Sequence, residues 1–149
     1  VIILLPKPDS GLTWERRSSM ILSAVFFNQS DLICDMAKKE DFIVMGRCAD
    51  VILTNNRIPH ISIFITAPFE QRLRRTMEVH PDLNEKQAKH LLKQLDRQHQ
   101  NYYRFFTGRK WGNAANYDLC LNSAAYGIDG SVDFILRMLD REGKMNAPK

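Results

Sequence analysis

Apolar residues in this chain fall into short runs and longer helical stripes that alternate along the sequence. Three runs, Phe42–Met45, His60–Thr66 and Tyr117–Leu121, are rich in Ile, Val, Phe or Leu and bounded by polar or turn residues, the pattern of buried strands. Each is followed by a helical pattern. After the second run, Pro68 suits a first helical position, and Phe69, Leu73 and Met77 repeat at fourfold spacing. After the third, Ile128, Val132, Ile135 and Leu139 do the same, with Asp129 or Ser131 as the expected cap. The longest helix is expected to open at Asn84, whose side chain pairs with Gln87 three residues on in a capping-box arrangement. From there Ala88, Leu91, Leu92, Leu95, His99 and Tyr102 form the expected core stripe, while Lys93, Arg97 and Arg104 recur on another face. Strand and helix alternate, so the expected fold class is α/β, a parallel β-sheet flanked by helices. Residues 1–28 are less regular: Val1–Leu5 reads as a strand and Leu12–Phe27 as a helix, with Pro6, Pro8 and Gly11 between them. The tail Gly143–Lys149 is expected to be flexible.

Length and composition narrow this picture. With 149 residues, of which 44% are hydrophobic, one domain spanning 1–149 is expected. No run approaches the roughly 18 apolar residues of a membrane span, so a soluble protein with no membrane partner is expected, and three cysteines without a disulfide or zinc pattern make a reducing cytoplasm the expected compartment. Cys34, Cys48 and Cys120 have neither zinc-ligand spacing nor the even number of a disulfide framework, and the four histidines show no paired ligand motif. No metal site built from protein ligands is expected. The net charge of +4 matters through its placement: Arg97–Gly112 carries Arg97, Arg104, Arg109 and Lys110 and no acid. Such a stretch suits an anionic partner, either nucleotide phosphates or a nucleic-acid backbone, and a nucleotide or another small phosphorylated ligand is the expected one.

Two elements carry candidate chemistry. In Val44-Met-Gly46-Arg47-Cys48-Ala-Asp50 an expected strand ends at a turn, where Gly46 allows close backbone approach and Arg47 offers a planar fork to phosphate. In the basic stretch from Arg97 to Gly112, cations and aromatics leave a helix and enter a loop between Gly108 and Gly112. Phosphoryl transfer asks a protein mainly for positioning and for positive charge around the transferred group. Glycines on either side of Arg109 and Lys110 suggest a hinge. The bland alternatives are a turn glycine beside a solvated arginine, and a solvated basic face with Tyr102, Phe105 and Phe106 as core.

The strings Ile43-Val-Met-Gly-Arg-Cys-Ala-Asp50, Phe64-Ile-Thr-Ala-Pro-Phe-Glu-Gln-Arg-Leu-Arg-Arg75, Asn101-Tyr-Tyr-Arg104, Gly108-Arg-Lys-Trp-Gly112 and Asn116-Tyr-Asp-Leu-Cys-Leu-Asn-Ser123 stand in one order. In that order the chain resembles the cytidylate-kinase-like family from Gln29 to Asp140. The resemblance implies a P-loop NTPase, nucleotide-kinase-like fold with an arginine-rich helical lid over 84–116. It implies ATP as phosphoryl donor, with Mg2+ bridging the ATP phosphates, and a nucleoside monophosphate (CMP-like) or similar small acceptor. It further implies that Arg47, with Gly46 and Asp50 beside it, meets the acceptor monophosphate, and Asn101 is counted with them as substrate-binding. Arg97 and Arg104 match lid-helix arginines that hold phosphates, joined by Arg109 and Lys110 in a longer basic loop.

The chain also departs from the family pattern. Cys48 and Asn101 stand where cytidylate kinases proper place Asp, and a neutral amide cannot orient an arginine as a carboxylate does. Pro6-Lys-Pro-Asp-Ser-Gly11 supplies no nest of consecutive N–H donors for donor phosphates. The expectation is that the sequence as given omits a segment carrying that loop; the alternative is a catalytically inactive nucleotide-binding or regulatory module. Nucleic-acid binding through the basic loop, with stacking on Tyr102, Tyr103 or Trp111, is a third reading and not the expected one.

Overall fold

The computed structural model describes residues 14–46 and 48–142, with side chains described for 23–46 and 48–139. The expected strand Val1–Leu5, the tail Gly143–Lys149 and the candidate Arg47 lie outside the described residues. The chain divides into two compact units, Val1–His60 and Ile61–Lys149.

In the first unit, helix α1 (Trp14–Ala37) continues well past the expected end at Phe27, and a short helix α2 (Ala49–Asn55) packs against it. Their shared core is Ile33, Ala49, Ile52 and Leu53, with Phe26, Phe42, Val44 and Ile58 packed around it. The expected strand Phe42–Met45 is not one: Phe42 and Val44 turn toward this core, while Ile43 and Met45 are 92% and 78% exposed. The two-residue periodicity is therefore present. A strand, however, also needs a ladder partner, and the described residues of this unit contain no other strand.

The second unit runs β1 (Ile63–Thr66), α3 (Phe69–Val79), α4 (Glu85–Thr107), a 3-10 turn (Ala114–Asn116), β2 (Leu119–Asn122) and α5 (Ser123–Glu142). β1 and β2 pair in parallel, Ile63 opposite Leu119 and Thr66 opposite Asn122. The parallel α/β character expected from the sequence is thus seen in a small two-stranded sheet among the described residues. The pairing starts at a side-chain knot. Ser62 donates from its backbone N–H (2.8 Å) and from its hydroxyl (2.7 Å) to Asp118 Oδ2, and the Asp118 N–H returns to the Ser62 carbonyl at 3.0 Å.

Helix α3 begins one residue later than expected, with Pro68 at the N-cap (φ −55°). Its Leu73 is buried with Ala88 and Leu92 of α4, flanked by Phe69, Met77 and Leu83, so the expected fourfold stripe is the contact face. Helix α4 opens with both halves of the capping box: the Gln87 N–H donates to Asn84 Oδ1 at 3.0 Å and the Asn84 N–H to Gln87 Oε1 at 2.9 Å. Further along, the core face departs from the expected stripe. Leu95 is 39% exposed, whereas Tyr103 rather than Tyr102 is buried at 5%. A straight helix advances 100° per residue, so the face that begins at Ala88 and Leu92 reaches position 96 next. There Asp96 accepts two hydrogen bonds from the Arg72 guanidinium, at 2.7 and 2.9 Å, and Arg72 Nε donates to the Ala67 carbonyl at 3.2 Å. The expected stripe omits Asp96, a charged residue that stands on the inner face.

Helix α5 starts directly after β2, with the Ala124 N–H donating to Asn122 Oδ1, and is broken at Gly127 (φ 70°, ψ 178°). Neither Asp129 nor Ser131 acts as the expected cap. Ser131 instead donates its hydroxyl to the Gly127 carbonyl at 2.6 Å, closing the kink. The expected core stripe of α5 is largely exposed among the described residues, with Ile128 at 66% and Val132 at 49%. Among the described residues no helix is long and apolar enough to cross a membrane.

Two substitutions rank the forces that hold α4. Asn84→Ala removes one capping bond and is expected to lower unfolding free energy by about 1 kcal/mol. Asp96→Ala strands a half-buried guanidinium and is expected to cost about 2–3 kcal/mol. Denaturant titration of both variants checks the order; an Asp96→Ala loss no larger than that of Asn84→Ala would contradict it.

Candidate functional site

The last turns of α4 bring the candidate cations together. Residues 97, 101, 104 and 108 follow one another at four- and three-residue steps and so share one face of the helix. The helix closes at Gly108 in the left-handed region (φ 68°), with the Gly108 N–H on the Arg104 carbonyl at 2.9 Å. Thr107 then redirects the chain: its hydroxyl donates to the Tyr103 carbonyl at 2.6 Å and accepts the Arg109 N–H at 3.0 Å. This local folding encloses a cleft of about 410 Å³ lined by Gln100, Asn101, Arg104, Arg109, Lys110 and Trp111, with Gly108 at its edge. Three cations and two amides line it, and no acidic side chain does. Arg104 also lies in the last turn of α4, where the negative end of the helix dipole favours a cation.

Four of the sequence-derived candidates, Asn101, Arg104, Arg109 and Lys110, therefore share one cleft. Arg97 is exposed one turn earlier on the same face and does not line it. Lys93, expected on the same cationic face, lies 6.0 Å above the ring of Phe69. The perturbed ionisable pair of α4 is at its other end, where the mutual hydrogen bond holds Glu85 below and Lys89 above their ordinary values.

The loop carrying the cations is tied to its surroundings by Trp111 and by residues to which the sequence assigns no role at the site. Trp111 stacks on His99 (centroids 5.4 Å apart, 24° between planes) and meets the ring of Phe64 edge to face at 5.2 Å. The Lys110 carbonyl accepts from Asn116 Nδ2 at 2.9 Å and from the Asn113 N–H at 3.3 Å. Gly112 sits at φ 73° against Phe64, where an added Cβ would lie 3.1 Å from the ring. The signal for these ties was in the Gly108–Gly112 string, whose tryptophan was weighed there as a stacking platform for a ligand rather than as an anchor.

The other candidate element lies in the first unit. Gly46 is exposed with φ 71°, and Cys48, also left-handed at φ 56°, is 3% exposed and stands at the N-cap of α2. Asp50 is half-buried in the first turn of α2, where a carboxylate suits the helix dipole, and its carbonyl accepts from the Thr54 hydroxyl at 2.7 Å. Among the described residues no three His, Cys, Asp or Glu side chains gather as metal ligands, and Cys34, Cys48 and Cys120 form no disulfide.

The profile of the cytidylate kinase-like family matches residues 9–125. The chain belongs to the cytidylate kinase-like family. A crystal structure of an uncharacterized protein from Eubacterium ventriosum ATCC 27560 superposes with a TM-score of 0.71 at 30% identity, covering 78% of this chain. This chain spans 65% of the length of that protein. No curated protein matches. The family match begins earlier than the resemblance seen from Gln29 and ends before Asp140, so most of α5 lies beyond it. It does include the Gly46–Asp50 turn and every residue lining the cleft.

Gly108 and Gly112 offer an internal control on how the loop is held. Both have φ near 70°, but nothing lies within 4 Å of a Cβ at Gly108, whereas Phe64 does at Gly112. Gly108→Ala is expected to cost about 1–2 kcal/mol from backbone strain; Gly112→Ala is expected to cost more. Equal losses in thermal or denaturant unfolding would mean that Phe64 does not press on the loop.

Proposed function

We propose that this chain carries the acceptor turn and cationic cleft of a phosphotransferase that moves a phosphoryl group from ATP to a nucleoside monophosphate (CMP-like) or a similar small acceptor. The observation that carries the reading is the cleft itself. In a chain of this family, Arg104, Arg109 and Lys110 converge with Asn101 on one space without an acid.

The lining fits phosphate oxygens. Guanidinium, ammonium and amide groups are hydrogen-bond donors, and in phosphoryl transfer they stabilise the charge spread over the equatorial oxygens of the transferred group. In this reading α4 and its loop are the arginine-rich lid of a P-loop NTPase fold, and Arg97 joins from the turn before the cleft. Gly46 and Arg47, with Asp50 beyond them, receive the acceptor monophosphate. The cleft has no carboxylate to hold Mg2+, so the ion belongs with the ATP phosphates, whose charge it neutralises. Asn101 in place of a carboxylate leaves Arg104 without an acidic partner in the lining, which favours anion binding but relaxes orientation. The compartment this reading implies is the reducing cytoplasm, in keeping with three cysteines that form no disulfide.

Two other readings are weaker. The Pro6–Gly11 segment lacks a glycine-rich phosphate loop, which favours an inactive nucleotide-binding module. Calorimetry on the product of the complete reading frame separates the two: monophosphate binding with no ATP binding supports the module. Nucleic-acid stacking is disfavoured because Tyr103 is buried and Trp111 already stacks on His99.

The direct test is ATP turnover by that complete product against CMP, UMP, dCMP and small hydroxylated acceptors. Arg104→Ala is expected to lower turnover at least about tenfold while leaving thermal stability near wild type. An unchanged rate removes Arg104 from the site, and no transfer to any acceptor by the wild type counts against the kinase reading.

A further inference from the structure

Arg109 and Lys110 sit in a loop whose own backbone gives them little support. Apart from the hydrogen bonds at Thr107 and Lys110, the segment between Gly108 and Asn113 has no regular secondary structure, and its two cations are exposed. Left unanchored, such a loop samples many conformations, and a ligand must bear the entropy of ordering it. Here the loop is fastened at two adjacent points. Trp111 is held between His99 of α4 and Phe64 of β1, at 5.4 and 5.2 Å between centroids. The carbonyl of Lys110 is held by Asn116 at 2.9 Å. A third contact, from the Gly112 N–H to the Tyr117 hydroxyl at 3.4 Å, follows directly, and the Tyr117 ring is itself 4.9 Å from Phe64.

We infer that Trp111 and Asn116 are positioning residues of the cationic cleft: Trp111 from its lining and Asn116 from outside it, they hold Arg109 and Lys110 at its wall before ligand arrives. The inference rests on the phosphate-holding reading of the cleft. Its physical content is preorganisation. Trp111 is half-buried and supplies rigid apolar contact at small entropic cost, and Asn116 fixes the carbonyl of the residue that bears the second cation. The same fastening makes the Gly108–Gly112 segment a fixed platform rather than the free hinge that two glycines suggest. Gly108 is used to end α4 and Gly112 to pass beneath Phe64.

Two measurements on wild type, Trp111→Leu, Trp111→Phe, Asn116→Ala and Arg104→Ala test this. The first is limited trypsin digestion with cut sites read by mass spectrometry, since Arg109 and Lys110 are trypsin sites inside the fastened loop. The second is calorimetric affinity for inorganic tripolyphosphate. Trp111→Leu and Asn116→Ala are expected to speed cutting after residues 109 and 110 about tenfold relative to cuts elsewhere, because cleavage follows the population of the locally open form. Both are expected to weaken tripolyphosphate about tenfold, with Trp111→Phe within about threefold of wild type on both counts and global unfolding little changed. Faster cutting with unchanged affinity overturns the positioning role, as does no change in either. If the wild type binds no tripolyphosphate, or Arg104→Ala binds it as well as wild type, the reading of the cleft has failed, and the positioning role falls with it. Should Trp111→Leu fail to fold, Asn116→Ala, which removes one exposed hydrogen bond, gives both measurements.

Discussion

The three hydrogen bonds of Arg72 set where α4 stands, and the cleft follows α4. Leu73, Ala88 and Leu92 bring α3 and α4 together through apolar contact, which is not directional and would tolerate sliding. The guanidinium removes that freedom. Its fork meets both oxygens of Asp96 at 2.7 and 2.9 Å while Nε reaches the carbonyl of Ala67, just past the end of β1. One planar group thereby relates strand, first helix and second helix. A lysine at this position would carry the charge without the fork, and so would not specify the angle. Both partners are half-buried, so the pair is screened less than a surface bridge such as Lys38–Asp35.

Strand β1 also fixes the far side of the cleft. Its residues alternate between the two faces of the small sheet, and Phe64 points to the face occupied by Trp111, Gly112 and Tyr117. The helix that supplies Arg104 and the loop that supplies Arg109 and Lys110 are thus both referred to one strand, the helix through Ala67 and the loop through Phe64. The Ser62–Asp118 knot starts the pairing of that strand with β2, which places the Asn113–Tyr117 segment, and with it Asn116, beneath the loop. Four residues of strand therefore organise a cleft made wholly of other elements.

Features decided within a few residues were legible in the sequence. The Asn84–Gln87 box formed as its spacing implied, and so did the Phe69–Leu73–Met77 face. Features that depend on a distant partner were not. Phe42–Met45 has the alternation of a strand, but alternation does not report whether a neighbouring strand exists. Asp96 looks like a solvent residue until Arg72, far away in sequence, is seen opposite it. In α5 the spacing of the apolar stripe does not report the break at Gly127, whose left-handed backbone, with the Ser131 hydroxyl, decides how that helix runs. The same division holds at the site. Arg104, Arg109 and Lys110 could be grouped from composition and Asn101 only through the family resemblance, while Arg97 fell just outside and the anchors Phe64, His99 and Asn116 went unseen. An anchor is defined by what it touches, and Phe64 and Trp111 touch across a long stretch of chain.

Gathering three cations without an acid has an energetic consequence that ties these observations together. Like charges a few ångström apart near a protein surface repel by on the order of 1 kcal/mol or more per pair, less as salt rises. A free loop would relieve that repulsion by carrying the exposed Arg109 and Lys110 away from Arg104. The dipole of α4 offsets some of it at Arg104, by about 0.3–1 kcal/mol, but reaches no further than the last turn. What keeps the other two cations on the wall must therefore be neutral and directional, and the aromatic stack of Trp111 with the amide of Asn116 is both. Salt screens part of the repulsion that remains, and an anion between the cations would relieve more of it. In the phosphate-holding reading a polyphosphate would do so better than a single carboxylate by charge alone, before any contact to a base or sugar is made.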